Sequence, residues 1–420
     1  MSKFVIYGGK PLKGKISVTG EKNAVLPILA ATLLTQEPCM IDNVPEISDV
    51  KILLKIIKNL GAKVTKIKPN KYKIQAQTLK IKELNSKLVQ KLRASVLLLG
   101  PMLARVGELK MLHPGGCIIG KRPVGTHFQA LEKMGTIITQ DQSYYYARAN
   151  KGLKPAEIFL DEPSPTATEN ILMAAALTPG LTVIKDAACE PHIDSLCEFL
   201  EKMGAKISGI GTQTLKVSGQ EKLNGASHTI IPAYIEVGTF AAVAAATKGD
   251  VIIENVVVSH LDPILHQLNM MNVNYEIGQN YLHIKPSKSL KAARVQPRPW
   301  PGFPTDLQAP FCVLATQANG TSLIHEWMYE GRLFYIDELI KMGANILLCD
   351  PHRALVTGPK KLVGAKIISP DIRAGIALII AALVAEGESV IDNIELVDRG
   401  YENIEQRLRK LGANIKRIEE

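Results

Sequence analysis

Met342-Gly343-Ala344-Asn345-Ile346 ends a helix-like run of Leu and Met and opens a β-branched one. The same juncture stands at Leu60-Gly61-Ala62-Lys63-Val64, Met134-Gly135-Thr136-Ile137, Met203-Gly204-Ala205-Lys206-Ile207 and Leu411-Gly412-Ala413-Asn414-Ile415. Glycine here reads as a left-handed helix C-cap. One expected copy, Met271-Asn272-Val273, has Asn instead. Asn is the next best residue for that conformation, so the role survives the change of letter. The junctures at 61, 135, 204, 272, 343 and 412 are spaced by 74, 69, 68, 71 and 69 residues. A period of about 70 is the mark of an internal repeat, and six such units account for the 420 residues.

Each unit also carries an earlier, alanine-rich apolar segment: Ala24 to Leu34, Ala94 to Ala104, Asn170 to Leu177, Gly238 to Thr247, Gln308 to Thr316 and Arg373 to Ala385. These are too apolar all round to lie on a surface, which predicts buried helices. A Gly turn and a strand follow most of them, as in Gly180-Leu181-Thr182-Val183-Ile184, Gly249-Asp250-Val251-Ile252-Ile253 and Gly387-Glu388-Ser389-Val390-Ile391. A second, amphipathic helix then leads to the capped end, as Asp337-Glu338-Leu339-Ile340-Lys341-Met342 illustrates. The expected unit is strand, buried helix, strand, outer helix, strand and a further strand. Six such α+β units suggest two pseudo-symmetric three-unit domains. A six-repeat solenoid is the alternative, disfavoured because the inner helices are apolar on every side.

Composition bounds the rest. There are 50 basic and 40 acidic side chains, a net charge of +10, and 46% hydrophobic residues. Those are proportions of a folded protein rather than a disordered or fibrous one. Only 2 Trp, 11 Tyr and 8 Phe are present, few stacking platforms for single-stranded nucleic acid. The positive balance points instead to small anionic ligands. Cys39, Cys117, Cys189, Cys197, Cys312 and Cys349 form no C-x-x-C pair and no zinc-ligand spacing. The N-terminus lacks the apolar core of a signal peptide, and the twelve-residue apolar run Ala374 to Ala385 is too short to span a bilayer. A cytoplasmic protein with reduced thiols is expected.

Five stretches carry chemistry. In Val18-Thr19-Gly20-Glu21-Lys22-Asn23-Ala24, Lys22 sits at a helix N-terminus, beside backbone N–H groups that favour anions. Arg93 opens the second buried segment, and Asp371-Ile372-Arg373 and Thr305-Asp306-Leu307-Gln308 stand at the same place in later units. A structural ion pair between Asp371 and Arg373 is the plain alternative. Pro114-Gly115-Gly116-Cys117-Ile118-Ile119-Gly120-Lys121-Arg122-Pro123 puts a cysteine in a glycine-rich loop beside two cations, which favour the reactive thiolate. The other five cysteines read as inert buried thiols. Trp300-Pro301-Gly302-Phe303-Pro304-Thr305-Asp306 fixes an aspartate with prolines, as a general base requires. Asp398-Arg399-Gly400-Tyr401 sets a further arginine on a turn.

Through Gly20-Glu21-Lys22-Asn23, the Pro114 to Arg122 loop, Phe303-Pro304-Thr305-Asp306 and Asp398-Arg399-Gly400-Tyr401, the chain resembles the UDP-N-acetylglucosamine 1-carboxyvinyltransferase family. These are enolpyruvyl transferases of the EPSP synthase superfamily. The sister family acting on shikimate 3-phosphate lacks the cysteine loop and starts with a Lys-Ser motif absent here. The resemblance implies a two-domain inside-out α/β barrel of six repeats, with the active site between the domains. One domain would be continuous over 22–231 and carry the Cys117 lid loop; the other would combine 1–21 with 232–420.

The implied reaction moves the enolpyruvyl group of phosphoenolpyruvate to the 3′-hydroxyl of UDP-N-acetylglucosamine and releases phosphate, opening peptidoglycan synthesis. The resemblance implies no organic cofactor, no metal, no nucleic acid, no membrane and no obligate protein partner. It assigns Lys22, Asn23, Arg122, Arg373 and Arg399 to phosphoenolpyruvate, with Asp371 orienting Arg373. It assigns Arg93, Arg122, Pro123, Val124, Gly125, Thr126, Ser164, Pro165, Thr166, Asp306 and Met328 to the UDP-sugar. Asp306 would take the hydroxyl proton; Cys117 would protonate the methylene carbon or shield the site, and an alkylating epoxide would inactivate it there. Lys22 and Arg399 join them as catalytic cations, and Glu190 supports the cleft. Departures from the usual family pattern occur at Gly125 (usually Asp), at Pro165-Thr166 (usually Val-Gly), at Ala233-Tyr234 (usually Asp-Arg) and at Gly331 (usually Asn). A different nucleotide-linked acceptor, or a silent UDP-sugar-binding paralog, is the alternative.

Overall fold

The computed structural model describes residues 2–80, 84, 86–115, 119–120 and 122–419. They fall into two compact units. The terminal unit takes in 2–19 and 232–419, with Ile119 and Gly120 grouped beside Glu330 and Gly331. The central unit takes in the described residues of 20–116 and 122–231. Each has its own continuous apolar core.

All six junctures adopt one geometry. Their φ values run from +57° at Asn272 to +111° at Gly204. The next residue donates its N–H to the carbonyl five positions back: Ala62 to Ile57, Thr136 to Leu131, Ala205 to Leu200, Val273 to Leu268, Ala344 to Leu339 and Ala413 to Leu408, at 3.0–3.3 Å. That bond defines the Schellman C-cap. Asn272 satisfies it too, and its side-chain amide donates to the Ser289 carbonyl at 2.9 Å.

Each repeat builds one sheet around an antiparallel three-strand core. In the central unit the cores are Pro38–Asp42, Lys71–Gln75 and Lys63–Lys68; Glu108–Leu112, Tyr144–Arg148 and Ile137–Gln140; and Gly180–Lys185, Thr214–Gly219 and Lys206–Ser208. The terminal unit repeats the plan, with one substitution. In its last sheet the N-terminal strand Ser2–Tyr7 lies between Glu388–Asp392 and Asn414–Glu419, antiparallel to both. Four sheets gain a parallel edge strand. Two of these edges come from far along the chain: Ser227–Thr229 beside Pro38–Asp42, and Lys13–Ser17 beside Asp250–Glu254. In the other two sheets the edge is reduced to isolated bridges, Leu84 with Met111 and Val295 with Ile324. Each unit is thus a closed set of three repeats rather than a stretch of open solenoid.

The inner helices are α1 (Lys22–Ala31), α2 (Leu99–Arg105) and α3 (Pro165–Ala176) in the central unit. In the terminal unit they are α4 (Tyr234–Ala246), α5 (Gln308–Thr316) and α6 (Ile372–Val384). Every residue of α4 and α5 is buried, as the all-apolar segments predict. One helix starts later than expected: α2 begins at Leu99 rather than near Ala94, while α5 spans Gln308–Thr316 as expected. Tight 3₁₀ turns, Arg93–Leu98 and Thr305–Leu307, precede α2 and α5. Pro101 and Pro310 each fall in the first turn of the α-helix that follows, where the missing N–H is tolerated. Helices α2 and α3 cross at Gly100, where a Cβ would lie 2.3 Å from the Asn170 carbonyl oxygen.

Candidate active site

Lys22, Ser164 to Thr166, Asp306 and Arg373 stand at or just before the N-terminal ends of inner helices, while Pro123 to Thr126, Glu190, Met328 and Arg399 lie elsewhere in their units. In the central unit Lys22 is the first residue of α1, capped by Glu21, whose carboxylate accepts the Asn23 N–H at 3.1 Å. The Lys22 ammonium lies 2.7 Å from Asp49, a buried carboxylate in the first turn of helix Ser48–Asn59. Asn23 lies alongside, half-buried. Arg93 donates to the carbonyl of Arg122. Pro123 and Gly125 are exposed and Val124 is buried; Gly125 begins helix Gly125–Lys133 with open space where a side chain would stand. Thr126 follows it in the first turn.

At α3, Ser164 is the N-cap residue, Pro165 the first helical one, and the Thr166 hydroxyl meets His127 Nε2 at 3.1 Å. The orientation of this network follows from one contact. Gly100 N–H donates to Asn170 Oδ1 at 2.7 Å, so the Asn170 amide nitrogen faces His127 Nδ1, 2.9 Å away. Nδ1 therefore accepts, Nε2 carries the proton, and Thr166 receives it. Burial, then the charge of Arg93, pushes the His127 pKa down to about 3, so the ring is neutral.

Glu190 behaves differently from the other carboxylates. It precedes helix Pro191–Lys202, and burial pushes its pKa up to about 7. Asp194, one turn on, is pushed up to about 6 by burial. Glu169 in α3 is raised well above its ordinary value by complete burial and by Glu190. His192 approaches it at 3.8 Å. Burial thus moves all three carboxyls toward the neutral acid, Glu169 furthest.

In the terminal unit the site is a set of ion pairs. Asp306, in the turn before α5, receives Arg332 Nη2 on Oδ1 at 2.7 Å and Arg373 Nη2 on Oδ2 at 2.6 Å. Both arginines are about 5–6% exposed. Burial works against the Arg332 charge, but Asp306, Asp371 and Glu326 outweigh it and raise its pKa. Asp371 caps α6, its Oδ1 accepting the backbone N–H of Arg373 at 2.8 Å and of Ala374 at 3.2 Å, and lies 3.9 Å from Arg332. Glu326 accepts from the Thr305 hydroxyl at 2.7 Å and from the Met328 N–H at 3.0 Å. Arg399 ends the 3₁₀ turn Ile394–Arg399, half-buried, while its neighbour Asp398 grips Arg417 at 2.7 and 2.9 Å.

Cys117 and Lys121 lie outside the described residues. Of the other cysteines, Cys39, Cys197 and Cys312 are buried as expected, with burial raising each thiol. Cys189 and Cys349 are not: Cys189 is half-buried, and Cys349 is exposed on strand Asn345–Asp350, whose Leu347 and Leu348 also face solvent. Sequence reasoning missed Arg332, Asp49, His127, Asn170 and Tyr401 as site residues. Arg332 carries no local signal, since the carboxylate it binds, Asp306, lies 26 residues away.

The chain matches the family model EPSP synthase (3-phosphoshikimate 1-carboxyvinyltransferase) over residues 6–408. It is 43% identical over 423 residues to the UDP-N-acetylglucosamine 1-carboxyvinyltransferase of Treponema denticola, covering 99% of each chain. Identity to the enzyme of the same name from Halothermothrix orenii is 45% over 418 residues, covering 100% of each. Among solved structures, the enolpyruvyl transferase NikO from Streptomyces tendae superposes with a TM-score of 0.90 at 24% identity, over 99% of each chain. EPSP synthase from Acinetobacter baumannii does so at 0.76 and 20%, over 100% of each. These neighbours share the fold, a two-domain inside-out α/β barrel of six repeats. Over its whole length, then, the chain belongs to the EPSP synthase family and, within it, to the UDP-N-acetylglucosamine 1-carboxyvinyltransferases.

Proposed function

We propose that the chain transfers the enolpyruvyl group of phosphoenolpyruvate to the 3′-hydroxyl of UDP-N-acetylglucosamine and releases phosphate. This is the first committed step of peptidoglycan synthesis, and so bears on cell shape and division; the enzyme works in the cytoplasm. The observation that carries the reading is Asp306, a carboxylate shared by two buried guanidinium groups at the start of an inner helix.

Asp306 accepts the proton of the attacking hydroxyl as its oxygen bonds to C2 of the donor. A proton adds to C3, with Cys117 as the acid, giving a tetrahedral intermediate. Loss of a C3 proton then restores the double bond as the C2–O bond to phosphate breaks. Lys22, Arg122 and Arg399 stabilise the departing phosphate, with Asn23 beside them. Arg373 holds the donor carboxylate, where a planar guanidinium can form two parallel bonds. Such fixed cations do the electrostatic work without reorganising as charge moves. Arg93, Ser164, Thr166 and the segment 122–126 take the UDP-sugar, and Met328 packs against it.

Gly125 and Thr166 favour a second reading, a different nucleotide-linked acceptor, because both change the chemistry offered to the nucleotide. A phosphate-release assay with phosphoenolpyruvate and a panel of UDP-sugars separates the two. Highest kcat/KM with UDP-N-acetylglucosamine is expected; preference for another sugar by tenfold or more would transfer the reading to that acceptor.

A further inference from the structure

Tyr401 is fully buried, and its hydroxyl has neighbours on two inner helices. Arg373 Nη1, on α6, lies 3.2 Å away, and Thr239 Oγ1, on α4, lies 3.0 Å away. The direction of each bond can be worked out. A guanidinium has donors only, so the phenol oxygen accepts from Arg373. Thr239 gives its own proton to the Ile235 carbonyl at 2.9 Å. Its oxygen therefore has only lone pairs to offer, and Tyr401 donates to it. The chain runs one way: Arg373 to Tyr401, Tyr401 to Thr239, Thr239 to the Ile235 carbonyl.

The far side of Arg373 meets Asp306 at 2.6 Å, while Arg332 occupies the other Asp306 oxygen at 2.7 Å. An arginine facing a carboxylate gains most by closing on it with two parallel bonds. Here one of its terminal nitrogens is drawn to the phenol instead, and the Tyr401 ring centroid lies 5.5 Å from the guanidinium. In a buried site such a tether is strong, because no water competes for the donor.

We infer that Tyr401 and Thr239 are positioning residues that hold Arg373 between Asp306 and the phenol, and so set the orientation in which its guanidinium meets the carboxylate of the enolpyruvyl donor. The inference rests on the reading of Arg373 given above. Without the phenol oxygen, Arg373 is drawn toward Asp306 and out of register with the donor carboxylate. The effect falls on the donor rather than on the nucleotide sugar.

Steady-state kinetics with both substrates varied, together with thermal melts, test this in the full chain. Tyr401→Phe is expected to raise KM for phosphoenolpyruvate about tenfold, the scale of one hydrogen bond to a charged group. KM for UDP-N-acetylglucosamine should stay within about twofold. Thr239→Val strands the Tyr401 proton and should raise the donor KM about threefold, while Thr239→Ser restores it. The double variant should be no worse than Tyr401→Phe, since both remove one relay. An unchanged donor KM in Tyr401→Phe and Thr239→Val, with only the melting temperature lowered, overturns the inference and leaves the enolpyruvyl reading standing. No turnover of phosphoenolpyruvate by the unaltered chain would remove both. If Tyr401→Phe fails to fold, the two Thr239 variants carry the same comparison.

Discussion

The two units solve one problem in opposite ways. Both bury carboxyl groups at or near helix starts. The terminal unit keeps Asp306 beside two guanidinium groups, at 2.7 and 2.6 Å. In the central unit Lys22 pairs with Asp49 in the same way, but burial drives Glu169, Glu190 and Asp194 toward the neutral acid. Of the second set, Glu190 changes charge near neutrality. A carboxylate kept for chemistry is held by fixed cations, and one kept for packing sheds its charge.

The sharpest way to break this contrast is to remove one cation from the paired set. Arg332→Ala leaves Asp306 and Asp371 short of a partner in a buried place. Urea unfolding should show a loss of about 3–5 kcal/mol, as expected when one partner of a buried pair is removed. A loss below about 1 kcal/mol would mean that water already screens the cluster.

The next test is pH. Glu190 is raised from 4.5 to about 7. Between those values the folded protein holds a proton that the unfolded chain has released, so stability falls as pH rises through the window. Glu190→Gln should flatten that fall between pH 5 and 7.5 by about 1–3 kcal/mol. Thermal melts across that range check it, and an unchanged slope would assign the titration to Asp194 or Glu169 instead.

The smallest effect concerns what the units share. Asn272 is the single non-glycine among the six caps, at φ +57°. Asn272→Ala puts a residue with no αL preference there and removes the amide bond to Ser289. It should cost about 1 kcal/mol, read from the shift of the urea midpoint. Asn272→Gly should cost less.

The same contrast between local and distant partners decides which features are legible in the amino-acid sequence. The caps are legible because a Schellman turn is local: its residue type and its hydrogen bond lie within six positions. The inner helices are legible because a segment apolar on all sides has only one place to go. The insertion of Ser2–Tyr7 between strands near residues 390 and 416 is not, since no local pattern encodes a partner that distant. The site divides along the same line. Lys22, Asp306 and Arg373 announce themselves at helix starts. Asp49 and Arg332, 27 and 26 residues from the groups they bind, do not. Nor does the bond between Thr239 and Tyr401, which spans 162 residues. Tyr401 stands in the motif Asp398-Arg399-Gly400-Tyr401, yet its meaning lies in a hydroxyl on another repeat.

The central claim is that Asp306, between its two arginines, is the base for enolpyruvyl transfer. The most direct measurement is phosphate release from phosphoenolpyruvate in the presence of UDP-N-acetylglucosamine, comparing the unaltered chain with Asp306→Asn. The amide has nearly the shape of the carboxylate but cannot take the proton. Stoichiometric phosphate from the unaltered chain and a kcat lower by about 10²–10⁴-fold in the variant are predicted. A variant that turns over at the parent rate would contradict the account.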